Sequence, residues 1–271
     1  MATALLCLSM AAAALELTGP QQQGGLLAGQ VEPGSTVSAL GRQIPVDEAG
    51  RFLLGLGRDA PERVTVTVTR PGAPSSRHHL RIARRDYAVQ RIDGLPEQQV
   101  TPDARTLERI REDAARVRAA RATRLSERYF DSGWIWPVTG PITGVYGSQR
   151  ILNGKPRQPH YGIDIARPTG TPVRAPADGV VTLAAADLFF SGGTLILDHG
   201  QGLSSSFLHL SEMLVEPGDH VTRGEVIARV GATGRVTGAH LDWRMNWFDQ
   251  RIDPSLLVPP MPPDAPDAPD A

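Results

Sequence analysis

Alternation of apolar and polar residues indicates short β-strands in the first third of the chain. The clearest run is Val64-Thr65-Val66-Thr67-Val68-Thr69, with valines on one face and hydroxyl groups on the other, the pattern of a half-buried strand. Similar runs over 31–40 and 51–56 are separated by turns that contain glycine and proline. Short strands at this spacing predict a small β-sandwich over residues 16–96.

The period changes between residues 101 and 131, where apolar residues recur at helical spacing. Leu107, Ile110, Ala114 and Val117 are three, four and three positions apart, and Leu125 continues the stripe eight positions later. This stripe predicts a helical connector between two β-rich parts. Acidic residues alternate with the arginines along it, which argues against a nucleic-acid-binding helix.

Both ends of the chain differ from the rest. The first fifteen residues are apolar and rich in alanine, like a secretory signal, although no Lys or Arg precedes the apolar run; a buried N-terminal strand is the alternative. Repeats of Pro, Asp and Ala at the other end predict a disordered tail. The predicted organisation is a signal peptide over 1–15, a β-sandwich domain over 16–96, a helical connector over 101–131, a glycine-rich β-sheet domain over 134–258 and a disordered tail over 259–271.

Charge and cysteine content narrow the function and the compartment. Lys and Arg total 28 against 29 Asp and Glu, a net charge of −1, so the chain has no overall polycationic character for binding nucleic acid. The single cysteine, Cys7, excludes an internal disulfide and a cysteine-based zinc finger. Removal of the signal peptide would leave a cysteine-free chain without a transmembrane segment, which suits the periplasm or cell envelope.

Side chains of the types that bind metals concentrate in three short motifs. In an extended His160-Tyr-Gly-Ile-Asp164 segment the imidazole and the carboxylate share a face, and the glycine between them leaves room. His240-Leu-Asp242 again places two such groups on one face, and His209 ends a short apolar strand. Convergence of imidazole and carboxylate groups is what a zinc site requires. Each motif alone is a weak signal, but together they are specific.

These motifs and their glycine-rich surroundings resemble the catalytic domain of the lysostaphin/LytM-type zinc metallopeptidases. The resemblance extends over residues 135–254, nearly half of the chain. It rests on the segments Pro137-Val-Thr-Gly140, Val145-Tyr-Gly147, His160-Tyr-Gly-Ile-Asp-Ile165, Gly170-Thr-Pro-Val173, Ala175-Pro-Ala-Asp-Gly-Val180, Asp198-His-Gly200, His209-Leu-Ser211, Pro217-Gly218, Gly224, Gly231-Ala-Thr-Gly234 and Thr237-Gly-Ala-His-Leu241.

The resemblance implies a fold and a function. The fold would be mainly β: an antiparallel metallopeptidase sheet of the duplicated-hybrid-motif, barrel-sandwich-like kind, preceded by the small β-sandwich and the helical connector. The function would be that of a secreted zinc-dependent metalloendopeptidase that hydrolyses peptide cross-links of bacterial peptidoglycan, with the stem peptides as its partners. One Zn²⁺ per chain is implied as cofactor.

The resemblance also assigns roles to the five residues of the motifs. His160 and Asp164 would be metal ligands, and His209 and His240 would act as general base and as stabiliser of the tetrahedral intermediate. The family's third ligand is the second histidine of a His-x-His motif, and this chain has Asp242 at that position. Aspartate is a competent zinc ligand, so Asp242 is predicted to complete the site.

Asp242 changes the chemistry expected of the site. A His-Asp-Asp set carries one more negative charge than His-His-Asp, which should weaken the Lewis acidity of the ion and favour harder divalent ions such as Mn²⁺. The exchange also leaves open an alternative function. In that alternative, the chain is a catalytically inactive scaffold that binds peptidoglycan or activates a cell-wall amidase.

Overall fold

The computed structural model describes residues 15–92, 104–122 and 125–262. The predicted signal peptide, apart from Leu15, and the predicted tail from residue 263 onward lie outside the described residues. No helix within the described ranges has the length and apolar character needed to cross a membrane.

The described ranges are mainly β, as predicted. In chain order the elements are β1 (Glu16–Thr18), β2 (Leu26–Gln30), β3 (Thr36–Ala39), β4 (Arg42–Ile44), β5 (Arg51–Gly55), β6 (Arg63–Thr69), β7 (Ser76–Arg81), β8 (Val89–Ile92), α1 (Ala104–Ala120), a 3₁₀ turn (Tyr129–Ser132), β9 (Ile142–Gly144), β10 (Gln149–Leu152), β11 (Lys155–Pro156), β12 (Gly162–Ala166), β13 (Pro172–Arg174), β14 (Gly179–Leu188), β15 (Gly192–Gly200), β16 (Leu203–Leu210), β17 (Glu212–Met213), β18 (His220–Val221), β19 (Val226–Arg229), β20 (His240–Trp247), β21 (Gln250–Ile252) and a second 3₁₀ turn (Pro254–Leu256).

Two small sheets form the N-terminal β-sandwich. Their strand orders are β1-β2-β5 and β4-β3-β6-β7, and every pairing is antiparallel. The alternating valines of β6 point inward, and Val66 is fully buried. The core of these two sheets is continuous with that of the C-terminal part and includes residues of both sheets, such as Leu27 of β2 and Val66 of β6. The period-two pattern therefore predicted both the strand and its buried face.

The helix is shorter than its apolar stripe predicted. α1 ends at Ala120, its only buried residue, so the expectation that Leu125 continues the helix is wrong. The Leu125 carbonyl instead accepts a hydrogen bond of 2.8 Å from the Gln201 backbone. This tertiary hydrogen bond holds the chain after α1 against the β15–β16 turn. Leu125 therefore lies outside the helix, although its spacing from Val117 is helical.

An eight-stranded antiparallel sheet forms the centre of the C-terminal part. Its order is β18-β14-β15-β16-β20-β12-β9, and β21 pairs with the end of β20. One face of β20 carries Leu241, Trp243, Met245 and Trp247, which are fully buried. The alternate residues of β20 therefore face the other side, next to β12 and β16. This arrangement brings all three sequence motifs to neighbouring strands.

The N-terminal part is joined to the C-terminal sheet by backbone and side-chain contacts. β8 pairs in parallel with β10, from Val89 beside Gln149 onward. Arg85 forms an ion pair of 2.8 Å with the buried carboxylate of Asp253. Gly55 lies so close to Trp247 that an added Cβ would be 2.6 Å from that side chain. The predicted domain boundaries stay a prediction, but extensive contacts cross them.

His199 lies in β15 and is fully buried in the core, away from the sequence motifs. Its Nδ1 donates to the Asp178 carbonyl at 2.6 Å, and its Nε2 lies 2.7 Å from the Ser205 hydroxyl. Trp134 packs edge-on against the ring. Burial lowers the pKa of His199 to about 4, against the weaker opposing effects of the Asp178 carbonyl and charge.

We expect His199 to make the fold sensitive to acid. Between pH 6.5 and 4 the unfolded chain takes up a proton on this imidazole that the folded chain does not, so unfolding becomes easier by up to about 3 kcal/mol. Denaturant titrations at pH 7 and pH 4 measure this loss. A His199→Gln variant should lose less stability than wild type over this range, whereas exposed His220→Gln should match wild type. Identical pH dependence in all three proteins would contradict the expectation.

Candidate metal centre

Two carboxylates face each other across the β12–β20 pairing. Asp164 and Asp242 are direct register partners, and directly opposed residues of an antiparallel pair lie on the same face of the sheet. His160 precedes β12, held by a backbone hydrogen bond of 2.7 Å to the Ser148 carbonyl. Its Nε2 lies 3.2 Å from Asp164 Oδ1. One ligand-type atom from each of His160, Asp164 and Asp242 lies within 4.8 Å of the others.

These three side chains fit a divalent ion. His160 Nε2 and Asp164 Oδ1 are buried and have no hydrogen-bond partner among the described residues, although buried polar atoms are normally paired. Their 3.2 Å separation is close to the roughly 3.3 Å edge of a tetrahedron with zinc–ligand bonds of about 2 Å. An ion between them would satisfy both atoms. The residues present therefore match the chemistry of a zinc-type site.

Two glycines provide the space that the carboxylates occupy. A Cβ added at Gly144 would lie 2.2 Å from Asp164 Oδ2, and one added at Gly162 would lie 2.3 Å from Asp242 Oδ1. Any larger residue would displace the carboxylate beside it. The glycine of the first sequence motif is thus required by the close approach of Asp242, on the neighbouring strand.

Gly144→Ala is therefore expected to weaken metal binding without unfolding the chain. The added methyl group pushes the Asp164 carboxylate out of line, and misoriented ligands typically lower metal affinity by about 10- to 100-fold. Competition with a chromogenic chelator measures the affinity for Zn²⁺. Gly238→Ala is the matched control, because a Cβ there meets no atom within 4 Å. Equal affinities in the two variants would contradict this account of the glycine.

Arg244 binds Asp242, a contact that the sequence did not reveal. Its Nε donates to both carboxylate oxygens, at 2.9 and 3.0 Å, and its Nη2 donates to Oδ2. The Asp242 side chain is only 3% exposed and that of Arg244 is 26% exposed. Burial by itself raises the pKa of the Asp242 carboxyl, but the Arg244 charge and hydrogen bonds outweigh burial and lower it.

The Arg244 guanidinium makes the site less negative than the sequence predicted. Asp242 was expected to make the ligand set more negative than a His-His-Asp set. Arg244, on the same face of β20, supplies one positive charge in direct contact with that carboxylate. The Asp242–Arg244 pair is electrically neutral, like the histidine it replaces. A carboxylate has about four lone-pair positions, so accepting three hydrogen bonds from Arg244 leaves about one for an ion.

Two further imidazoles approach the same point. Their ring centroids are 4.8 Å apart. His209 Nδ1 lies 2.9 Å from the Thr233 carbonyl, and His240 Nδ1 lies 2.9 Å from the Gly238 carbonyl. Because a carbonyl oxygen only accepts, each Nδ1 is the donor, and each neutral ring keeps its lone pair on Nε2. His240 Nε2 lies 3.9 Å from Asp164 Oδ1.

The His209 backbone adopts an uncommon conformation. Its φ is 67°, in the left-handed region that residues other than glycine seldom occupy. The preceding residue, Leu208, is still in register with Asp242, so the left-handed residue turns His209 out of the regular alternation. Burial lowers the pKa of the His209 imidazole, opposed by the Thr233 carbonyl and the Asp242 charge. The neutral ring is therefore favoured.

The structure thus brings all five sequence-predicted site residues together. His160, Asp164 and Asp242 form one cluster, and His209 and His240 lie beside it. His220 is exposed at the sheet edge beside Tyr129, away from the cluster. Arg244 is the residue that sequence reasoning missed. The signal was its position two residues after Asp242 on a strand, which guarantees a shared face.

Comparisons with known proteins agree with this geometry. A family model described as "Peptidase family M23" matches residues 158–254. The chain is 42% identical over 87 residues to "Peptidoglycan DD-endopeptidase ShyA" of Vibrio cholerae, covering 32% of this chain and 20% of that protein. It is 41% identical over 101 residues to "DD-carboxypeptidase/endopeptidase Mpg" of Neisseria meningitidis, covering 37% of this chain and 23% of that protein. The match thus spans about a fifth of each curated relative.

One solved structure is similar over nearly the whole chain. It is a crystal structure from Pseudomonas aeruginosa, described as a peptidase of family M23. It superposes with a TM-score of 0.68 at 30% sequence identity, covering 88% of this chain and 94% of that chain. The likeness includes the N-terminal part as well as the sheet that carries the cluster. With this extent of similarity, the chain belongs to peptidase family M23.

Proposed function

We propose that the chain is a metal-dependent endopeptidase that hydrolyses peptide cross-links of peptidoglycan in the periplasm or cell envelope. One observation carries the proposal: His160, Asp164 and Asp242 converge on one point, and two imidazoles, each oriented by a hydrogen bond from Nδ1 to a backbone carbonyl, lie beside it. The printed names of the relatives, which include peptidoglycan DD-endopeptidases, support the substrate class. The name "Lipoprotein NlpD/LppB homolog" of a further relative supports the envelope.

His160, Asp164 and Asp242 hold the ion, and Zn²⁺ is the proposed occupant. When bound, a divalent ion there supplies Lewis acidity to polarise the scissile carbonyl. The hydrogen bonds from Arg244 hold the Asp242 carboxylate in one orientation. They also offset the second negative charge of the ligand set, which favours Zn²⁺ over harder ions relative to an uncompensated His-Asp-Asp set.

His209 is the proposed general base and His240 the proposed stabiliser of the oxyanion. The lowered pKa of His209 keeps its ring neutral near pH 7, so its Nε2 can accept the proton of the attacking water. The Thr233 carbonyl fixes the tautomer and steadies the protonated ring that results. His240, in its protonated form, donates from Nε2 to the oxygen that becomes negative as the carbonyl is attacked.

Digestion of purified peptidoglycan tests the proposal. The full chain is stripped with a chelator, reloaded with Zn²⁺ or Mn²⁺, and incubated with sacculi, and the released fragments are separated and weighed. We expect conversion of cross-linked dimers to monomers only with the loaded protein. A folded protein that holds one Zn²⁺ per chain and releases no fragment from sacculi would overturn the proposal.

A catalytically inactive scaffold is the second candidate, favoured by one observation. Asp242 already forms an ion pair with Arg244, so its carboxylate is not a free ligand. The scaffold predicts a chain that stays metal-free in excess Zn²⁺, binds sacculi without cleaving them, and stimulates a cell-wall amidase added to the same assay. Metal content per chain therefore separates the two candidates.

A further inference from the structure

Three arginine side chains lie on the face of the sheet that carries the metal cluster. Arg244 is two residues beyond Asp242 on β20. Arg251 of β21 is in register with Asn246 and donates to its Oδ1 at 3.0 Å. Arg121, directly after α1, donates to the Ser206 hydroxyl at 2.9 Å, and Ser206 is the register partner of Arg244. These three residues are called the arginine cluster below.

The positive charge of the arginine cluster exceeds the negative charge of the described residues paired with it. Among the described residues, Asp242 is the one carboxylate in an ion pair with it, through Arg244. Within the part of the chain that the structure describes, Arg121 and Arg251 bond only neutral acceptors, a hydroxyl and an amide oxygen. Arg121 Nε is buried and has no acceptor within the described ranges. Because a buried cation is costly unless it is paired, the cluster is incomplete without an anion.

The pKa shifts of Arg121 and Arg251 are consistent with this excess of positive charge, and an anion can approach Arg251 from solvent. Burial, and next the nearby charges of Arg251 and Arg244, lower the pKa of Arg121, while burial and Arg244 lower that of Arg251 to about 10. Of the three arginines, Arg251 is reachable from a surface cleft. Arg251 and Tyr161 line a surface cleft of about 260 Å³, and the Arg251 guanidinium lies 5.5 Å from the Tyr161 ring centroid.

We propose that the arginine cluster is a carboxylate-binding subsite of the substrate groove. Guanidinium groups bind carboxylates through paired, charge-assisted hydrogen bonds. Arg251, which has no carboxylate partner among the described residues, lies beside Asn246, four strand positions, or about 13 Å, beyond Asp242, and an extended peptide covers that distance in about four residues. The preferred peptide therefore carries a carboxylate about four residues from the bond that is cut. The identification of the ligand as a substrate rests on the proposed function, whereas the binding of an anion does not.

Anion binding is tested first on the metal-free full chain, where hydrolysis plays no part. We expect sodium acetate to raise Tm by about 2–4 °C more than sodium chloride at equal ionic strength. Arg251→Met and Arg121→Met should abolish this difference while starting from an equal or higher Tm, because each removes a poorly balanced cation. Arg81→Met, which removes an exposed arginine of β7, should keep the acetate effect. Should Arg121→Met fail to fold, Arg251→Gln serves as the second variant.

Peptide binding then distinguishes the two sources of the carboxylate. Acetyl-alanyl-glutamyl-alanine amide, its glutamine counterpart and acetyl-trialanine with a free carboxyl end are titrated calorimetrically into the same metal-free protein. A side-chain subsite binds the glutamyl peptide roughly tenfold more tightly than the glutaminyl one, about the contribution of one charge-assisted hydrogen bond. A subsite for chain ends favours the free trialanine instead. Either preference should disappear in Arg251→Met.

The outcomes separate this inference from the proposed function. An acetate effect equal to that of chloride, or a carboxylate preference that persists in Arg251→Met, overturns the subsite even where the loaded enzyme cleaves peptidoglycan. Destabilised variants with an intact acetate effect overturn it as well, since they assign the arginines a purely structural role. A protein that binds the carboxylate peptides through these arginines but cleaves nothing retains the subsite and loses the endopeptidase.

Discussion

Replacing Asp242 with alanine is expected to abolish stoichiometric binding of Zn²⁺ and hydrolysis together. Only His160 and Asp164 remain as ligands, and the Arg244 guanidinium, deprived of its carboxylate, repels the incoming cation. The affinity should fall by more than about 100-fold, beyond the effect of disturbing a residue that merely orients a ligand. Chelator competition measures the affinity. The control is Asp249→Ala, which removes a surface carboxylate paired with Arg42 and should leave the affinity unchanged.

Asp242→His is the more discriminating variant. A third histidine ligand alone would be expected to bind Zn²⁺ well, but the charge of Arg244 is expected to oppose that binding. Histidine restores the family's third ligand, but it leaves the Arg244 guanidinium beside the ion without a carboxylate. We expect Asp242→His alone to bind Zn²⁺ weakly, and Asp242→His combined with Arg244→Gln to bind it tightly. The coupling between the two positions should be about 1–3 kcal/mol, as for other residues in direct contact. Equal affinities of the single and the double variant would refute a charge-balancing role for Arg244.

His209→Ala and His240→Ala are expected to have the opposite signature. Each removes a proton-handling group and leaves the three ligands in place, so bound metal should stay at one per chain. Turnover of peptidoglycan should fall by about 10²- to 10⁴-fold, the usual contribution of a general acid or base. Metal analysis and digestion of sacculi on the same preparation measure both quantities, with His220→Ala as control. Loss of the metal in either variant would make that histidine a ligand instead.

Local patterns predicted the elements whose structure is decided locally. The alternation over 64–69 became β6 with its valines inward, because one face of a strand must be buried. The helical stripe wrongly predicted that the helix includes Leu125. The helix ends at Ala120, and Leu125 instead accepts a hydrogen bond from the backbone of Gln201. The parallel pairing of β8 with β10 joins segments about 60 residues apart, and no local period encodes it.

The metal cluster was predictable and the groups around it were not. All five residues lie in three short motifs, and the resemblance supplied their roles. The residues that leave room for these side chains or surround them are brought there by strand register. Gly144 matters only because β9 lies beside Asp164. Arg121 and Arg251 are far apart in the sequence, and only the meeting of the α1 end with β16 and of β21 with β20 brings them to the same face.

The left-handed backbone of His209 has an evolutionary consequence. A φ of 67° costs a side-chain-bearing residue roughly 1–2 kcal/mol that glycine would not lose. Under the proposed function, the need for a proton-handling imidazole keeps histidine at that position despite the cost. Glycine at this position would avoid the backbone cost, but it would lose a buried imidazole and its hydrogen bond to the Thr233 carbonyl. A relative with glycine at position 209 would therefore lack the imidazole beside the cluster even where its three ligand-type side chains are kept.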